Sequence, residues 1–229
     1  MFDCNEMFLA INQVEKSKTD NEAKKSKKEA NKAKKVANKI SQDDKYTQDI
    51  LEERYNHYKA NYIFDTDLIK RTGLPIRRQN PPEDITENIA KFIIRNYDND
   101  PSCKWAKSIG LNGDLYSTKY LIDVPPEVKS FTSNGPSSFG PTKKFGCIYF
   151  LDMRNWLNND LILWRVDLTH TSPAWKSLKM NKKETNQDKC DNGNRPHISW
   201  DKIYPQISEH CVKVYEGTFE AIFTLSPSP

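Results

Sequence analysis

The stretch from Gly113 to Phe145, "GDLYSTKYLIDVPPEVKSFTSNGPSSFGPTKKF", decides how the chain is read. Asp114 follows a glycine, and Glu127 and Lys129 flank a single valine in a strand-like run. Side chains alternate along a strand, so Glu127 and Lys129 share one face while Val128 points the other way, into a core. Two acids and a lysine in this order have two readings. In the first they are solvated groups: a same-face ion pair worth about 0–1 kcal/mol, and an aspartate beside the turn dipeptide Asn112-Gly113. In the second, Asp114 and Glu127 converge from adjacent strands on a hard cation such as Mg2+, which needs only one or two carboxylates beside waters and substrate oxygens. A neighbouring lysine then orients or deprotonates the attacking water. Asp123 competes with Asp114 for the first acid, but Pro125 and Pro126 bend the chain between Asp123 and Glu127, which favours Asp114.

Upstream, "TGLPIRRQNPPEDITENIAKFIIRNY" holds a loop closed by Pro81 and Pro82 and then a helix with acids in its first turn, where the helix dipole favours them. Its apolar face is Ile85, Ile89, Phe92, Ile93 and Tyr97, and Glu87 lies on the other edge with Ile94. A further helix precedes it in "YTQDILEERYNHYKANYIF", with Ile50, Leu51, Tyr55, Tyr58 and Tyr62 at helical spacing. Residues 16–39 carry ten lysines against three acids and almost nothing apolar. That run is a solvated helical arm or spacer, or a basic arm lying along phosphates.

Downstream, strands are expected near 120–124, 126–132, 146–153 and 160–168, helical segments over 201–210, and a last strand over 212–223. This order predicts an α/β fold with a mixed central β-sheet flanked by helices, plus an N-terminal basic helical arm. The expected division is a helical, lysine-rich region over 1–62 and the sheet-bearing domain over 63–229.

The chain has 229 residues, 36% hydrophobic and 29% charged, enough for one core with an exposed appendage. No apolar run approaches the roughly 20 residues that span a bilayer, and "MFDCNEMFLAINQVEK" lacks the pattern of a signal peptide. Five irregularly spaced cysteines without a CxxC pair speak against a disulfide framework. A cytoplasmic protein is expected, with no membrane partner. The spacing of Cys190, His197, His210 and Cys211 does not match a zinc finger or ribbon. The five tryptophans are assigned to packing.

The helix, the "GD" and the "EVK" together resemble the PD-(D/E)xK nuclease superfamily, and the continuation "SFTSNGPSSFGPTKKFGCIYFLD" resembles its type II restriction endonucleases. The likeness covers roughly Pro82 to Leu168. By position it implies that Asp114 and Glu127 bind metal, that Lys129 is the motif lysine, and that Glu87 is the acid such nucleases place on the preceding helix. Gly113 stands where the motif has proline. The resemblance implies Mg2+-dependent, site-specific hydrolysis of double-stranded DNA to 5′-phosphate ends, by a homodimer where the target is palindromic. A cognate DNA methyltransferase would be its functional partner.

Candidate DNA contacts lie in the hydroxyl-rich loop after the motif: Ser130, Ser133, Asn134, Ser137, Ser138, Thr142, Lys143 and Lys144. The two lysines suit backbone phosphates, because reading guanine bidentately favours the arginine fork. Arg77, Arg78, Asn194 and Arg195 sit in turn-rich segments where base or phosphate contact is expected. Two other classes fit the same residues: a basic DNA-binding module without catalysis, and a repair or junction nuclease of the same superfamily.

Overall fold

The structure, a computed structural model, describes residues 24–224. Residues 16–23 of the lysine-rich run lie outside the described residues. The chain forms two compact units, Met1–Asp43 and Asp44–Pro229. In the first, residues 24–40 form an almost wholly exposed helix, α1, in keeping with its lack of an apolar face.

The second unit opens with helices α2 (Gln48–Thr72) and α3 (Glu83–Tyr97). Thr47 caps α2 by accepting from the Ile50 N–H, and Gly73 ends it in a left-handed conformation. Leu51 and Tyr55 of the expected face are buried, whereas Ile50 is exposed. Buried residues encircle α3: beside Ile85, Ile89 and Ile93, the edge carrying Glu87 and Ile94 is also covered.

The strands are β1 (Lys104–Trp105), β2 (Leu115–Tyr116), β3 (Glu127–Phe131), β4 (Ser137–Ser138), β5 (Ile148–Asp152), β6 (Asp160–Val166), β7 (His197–Ile198) and β8 (Cys211–Thr218). Between β6 and β8 stand the short helices α4 (Pro173–Lys176), α5 (Asn186–Asp191) and α6 (Trp200–Ile207). The main sheet has the order β3-β5-β6-β8; β3 and β5 run parallel and the other pairs antiparallel. The expected mixed sheet flanked by helices is the one found.

All five residues of β5 are buried because both faces of the sheet are covered. Val128, Tyr149, Leu151 and Leu163 pack with the α2 and α3 residues, while Phe131, Ile148, Phe150 and Val166 pack with Trp175, Trp200 and Ile203. Each large apolar side chain so covered contributes about 1.5–3 kcal/mol. Trp156, Trp175 and Trp200 are buried in these cores, as assigned.

Two expected strands are corrected. Residues 120–124 form turns, with Tyr120 N–H donating to Ser117 O and Val124 N–H to Leu121 O, and Leu121 is 73% exposed. The turn presses against the start of β5: a Cβ at position 146 would lie 2.7 Å from Val124 O and 2.6 Å from the Tyr120 ring, so only glycine fits there. The last strand ends at Thr218, and Glu220–Phe223 form a 3-10 turn.

An ion pair is buried beneath α3. Lys91 is fully covered, with Nζ 2.9 Å from Asp44 Oδ2, and it donates to Tyr46 O at 2.7 Å. Asp44 also accepts from the Trp105 backbone N–H at 3.0 Å and from Ser108 Oγ at 2.7 Å. Burial favours the neutral lysine, and Asp44 opposes it. The segments around residues 44, 91 and 105 are thereby tied together.

Candidate active site

Asp114 stands one residue before β2, at the end of a turn that requires Gly113. The φ of Gly113 is +104°, and a Cβ there would meet Pro125 Cγ at 2.9 Å. Proline, with φ fixed near −65°, cannot take this conformation, which gives the glycine before Asp114 a physical reason.

The Asp114 carboxylate reaches the outer edge of β3, where Oδ2 accepts from the Val128 N–H at 2.9 Å. On β3, Glu127 and Lys129 face the side of Ile148 and Phe150, and Val128 points into the opposite core. Lys129 Nζ donates to Glu127 Oε1 at 2.6 Å. The Glu127 side chain is 5% exposed, so the surface ion pair of the bland reading is not what the structure contains.

A second cation joins the cluster. Lys143 Nζ lies 2.6 Å from Glu127 Oε2 and 3.6 Å from Asp114 Oδ1. The shorter contact lacks hydrogen-bond alignment, so Oε2 is buried without a directional donor. Burial penalises the Glu127 charge, yet Lys129 and Lys143 outweigh it and hold the carboxyl below its ordinary range. Burial and then the Glu127 charge push Asp114 up. Lys143, pulled by both acids against its own desolvation, is raised.

Glu87 approaches from α3. Its Oε2 accepts from Trp105 Nε1 at 2.6 Å, and its Oε1 from Lys107 Nζ at 3.0 Å. Burial, then the Asp114 charge, push it up to about 7 from the ordinary 4.5. The folded state thus binds this proton more tightly than the unfolded chain, so the group's stabilisation is complete below pH 4.5 and lost as pH rises through about 7. Thermal melts across this window are expected to show Glu87→Gln losing that part of the pH dependence; an unchanged profile would show that Glu87 does not titrate there.

Two carboxylate oxygens, Asp114 Oδ1 and Glu127 Oε2, thus face one positive charge, that of Lys143. An all-oxygen donor pair already holding a cation suits Mg2+. Among the described residues no group of three or more His, Cys, Asp or Glu side chains is set to hold a metal. The remaining ligands of such an ion would be waters and substrate oxygens.

The expected DNA contacts divide. Ser130, Ser133, Ser137 and Ser138 line a cavity of ≈260 Å³ with Lys129 and Asn80. Arg78 lines an adjoining cavity with Thr132; its guanidinium lies over the Tyr62 ring at 5.0 Å and donates to Thr66 Oγ1. Asn134 accepts from Arg154, which also holds Asp152 and Asp201. Ser137 is buried and Ser138 half-buried, because β4 pairs with β7, which also brings the exposed Asn194 and Arg195 to this loop. Arg77 and Lys144 are exposed. Thr142, Lys143 and Lys144 line a separate cavity of ≈370 Å³ that includes Glu127, His170 and Lys176.

Sequence reasoning missed the Trp105–Lys107 clamp on Glu87 and the place of Lys143 between the acids. The loop's "PTKK" announces basic residues, but its length does not say that one folds back over the motif.

No curated protein and no solved structure matches the chain. Residues 42–205 match the family described as Bsp6I restriction endonuclease, a span that includes Glu87, Asp114, Glu127, Lys129 and the loop beyond them. The chain accordingly belongs to the Bsp6I restriction endonuclease family and is a type II restriction enzyme, a hydrolase that binds and cuts DNA site-specifically.

Proposed function

We propose that the cutting centre is of the PD-(D/E)xK type, with Asp114 and Glu127 as ligands of Mg2+ and Lys129 as the motif lysine. The observation that supports this best is the convergence of the Asp114 and Glu127 carboxylates at the edge of β3, one anchored by the Val128 N–H and both paired to Lys143. Bound there, Mg2+ would neutralise charge on the scissile phosphate and favour ionisation of a coordinated water.

The protein's part is positioning. Glu127, held low by its lysines, is ionised at neutral pH. Lys129, fixed by β3 beside Glu127 Oε1, offers its ammonium to the attacking water or to a phosphate oxygen. Glu87, held in place by Trp105 and Lys107, would assist through the metal or its waters. The products would carry 5′-phosphate and 3′-hydroxyl ends.

Loop residues 130–138 with Arg78 form one proposed DNA-facing surface, Arg77, Asn194 and Arg195 extend it, and Thr142 with Lys144 contacts the backbone nearer the acids. A homodimer would place one such centre on each strand of a palindromic site. The basic N-terminal helix, in the lysine-rich region read over 1–62, would serve that dimer or clamp DNA, with the nuclease domain read over 63–229. A cytoplasmic setting and a DNA methyltransferase that protects host sites complete the reading.

The test is a digest of a phage-sized duplex in Mg2+ and in EDTA. Discrete fragments with 5′-phosphate ends are expected in Mg2+ only. Equal cutting in EDTA would sink the metal site.

A further inference from the structure

Lys143 holds the one charge in the cluster that the proposed chemistry does not use. Both of Glu127's oxygens have a lysine, but the two lysines differ in kind. Lys129 is built into β3 and makes an aligned hydrogen bond to Oε1. Lys143 comes from a loop, is more exposed, and meets Oε2 without hydrogen-bond alignment while also lying 3.6 Å from Asp114 Oδ1.

We propose that the Lys143 ammonium is the resident counter-ion of the Asp114–Glu127 pair, and that a divalent cation loads onto these acids by displacing it. The proposal rests on the metal reading of Asp114 and Glu127 given above. A dication and an ammonium sharing the same two carboxylate oxygens would repel each other at close range, where solvent screens little, so one must leave.

Lys143 is the one able to leave. Its loop is pinned on either side by the buried Phe139 and Phe145, and the turn between them is closed by Lys143 N–H donating to Gly140 O. Only the side chain has to swing. Beside it is the ≈370 Å³ cavity whose wall includes Glu127 and whose other basic residues are Lys144, Lys176 and His170. A DNA phosphate in that cavity gives the displaced ammonium a new partner. Metal and DNA therefore assist each other's binding: the phosphate draws Lys143 off the acids, and the cation releases Lys143 to the phosphate.

The experiment titrates Mn2+ calorimetrically into the full chain without DNA, as wild type, Lys143→Gln, Lys143→Arg and Glu127→Gln. Lys143→Gln is expected to bind Mn2+ roughly tenfold tighter than wild type or more, Lys143→Arg to remain near wild type, and Glu127→Gln to lose the site. A second readout needs no variant: acetylation of Lys143 in the wild-type protein, followed by mass spectrometry, should be slow without Mg2+ and faster with it.

Equal Mn2+ affinity of wild type and Lys143→Gln, or weaker binding by the latter, would overturn the proposal and leave the metal site standing. So would a Lys143 acetylation rate indifferent to Mg2+ while Mn2+ binding depends on Glu127. Absence of Mn2+ binding to both wild type and Lys143→Gln would overturn the metal site and the displacement together.

Discussion

Glu127→Gln is expected to lower the rate of DNA cutting by at least about 10³-fold, because it removes the charge that both pairs with the lysines and, in the proposed centre, holds the cation. The substitution keeps the shape of a side chain that is 5% exposed, so folding is affected less than by truncation to alanine. Without the carboxylate, Lys129 and Lys143 lose their shared partner and Asp114 is left facing Lys143 alone. Lys129→Ala is expected to cost about 10²–10⁴-fold, the range of a group that handles a proton or its equivalent in charge. Neither change removes the loop over 130–138 or Arg78, so DNA binding measured by fluorescence anisotropy should be kept. Cutting by Glu127→Gln at a rate within tenfold of wild type would show that the carboxylate is not where the chemistry occurs. If Asp123→Ala were inactive and Asp114→Ala active, the first acid would be misassigned; Asp123 is exposed, in the turn that precedes Pro125.

The second large effect concerns stability. Lys91→Ala is expected to destabilise the fold by about 3–5 kcal/mol, since it leaves the Asp44 carboxylate buried without its cation. The reason is the geometry: Lys91 is fully covered, and its ammonium lies 2.9 Å from the nearly buried Asp44 carboxylate. For a chain of this size the fall in Tm should be roughly 6–20 °C. Replacing both partners by apolar residues of similar volume, Lys91→Met with Asp44→Leu, should cost less than Lys91→Ala, because no buried charge is then left unpaired. Asp44 also accepts from Trp105 N–H, and the Trp105 indole donates to Glu87, so this loss is expected to loosen Glu87 as well. A Lys91→Ala protein that melts within 2 °C of wild type, a shift of about 1 kcal/mol or less, would show that the pair is not a structural tie.

The elements that the sequence made legible are those whose apolar spacing matches one geometry. Strand β5 was readable within two residues at each end because Ile148 to Leu151 are all apolar, which the structure explains by a core on each face of the sheet. Strand β3 was readable because Val128 stands alone between two charged residues. The stretch 120–124 was misread because Leu121, Ile122 and Val124 look like strand material, whereas the chain there is folded into turns and its leucine is left in water. Nothing local distinguishes an apolar residue that will be covered from one that will not.

Glu127 and Lys129 were legible as same-face neighbours because strand geometry sets their faces, whereas Asp114 is brought to them by the turn at Gly113 and not by strand pairing. Glu87 was placed by resemblance, but its partners Trp105 and Lys107 come from a segment about twenty residues away, and side-chain clamps of that kind leave no periodic mark. Lys143 was read as a phosphate contact from its charge alone. Charge says what a lysine will seek, and only the path of the loop decides which acid it finds first.

Asp114 has a further consequence for how the molecule behaves in company. Strand β3 is the rim of the main sheet, and the Val128 N–H that points away from β5 is covered by the Asp114 carboxylate. An uncovered rim invites a strand from another copy to add itself by backbone pairing, which is the usual start of edge-to-edge aggregation. The acid assigned to the metal in the proposed centre also stands guard over the border of the sheet, so a variant lacking it is expected to be prone to self-association as well as slow to cut.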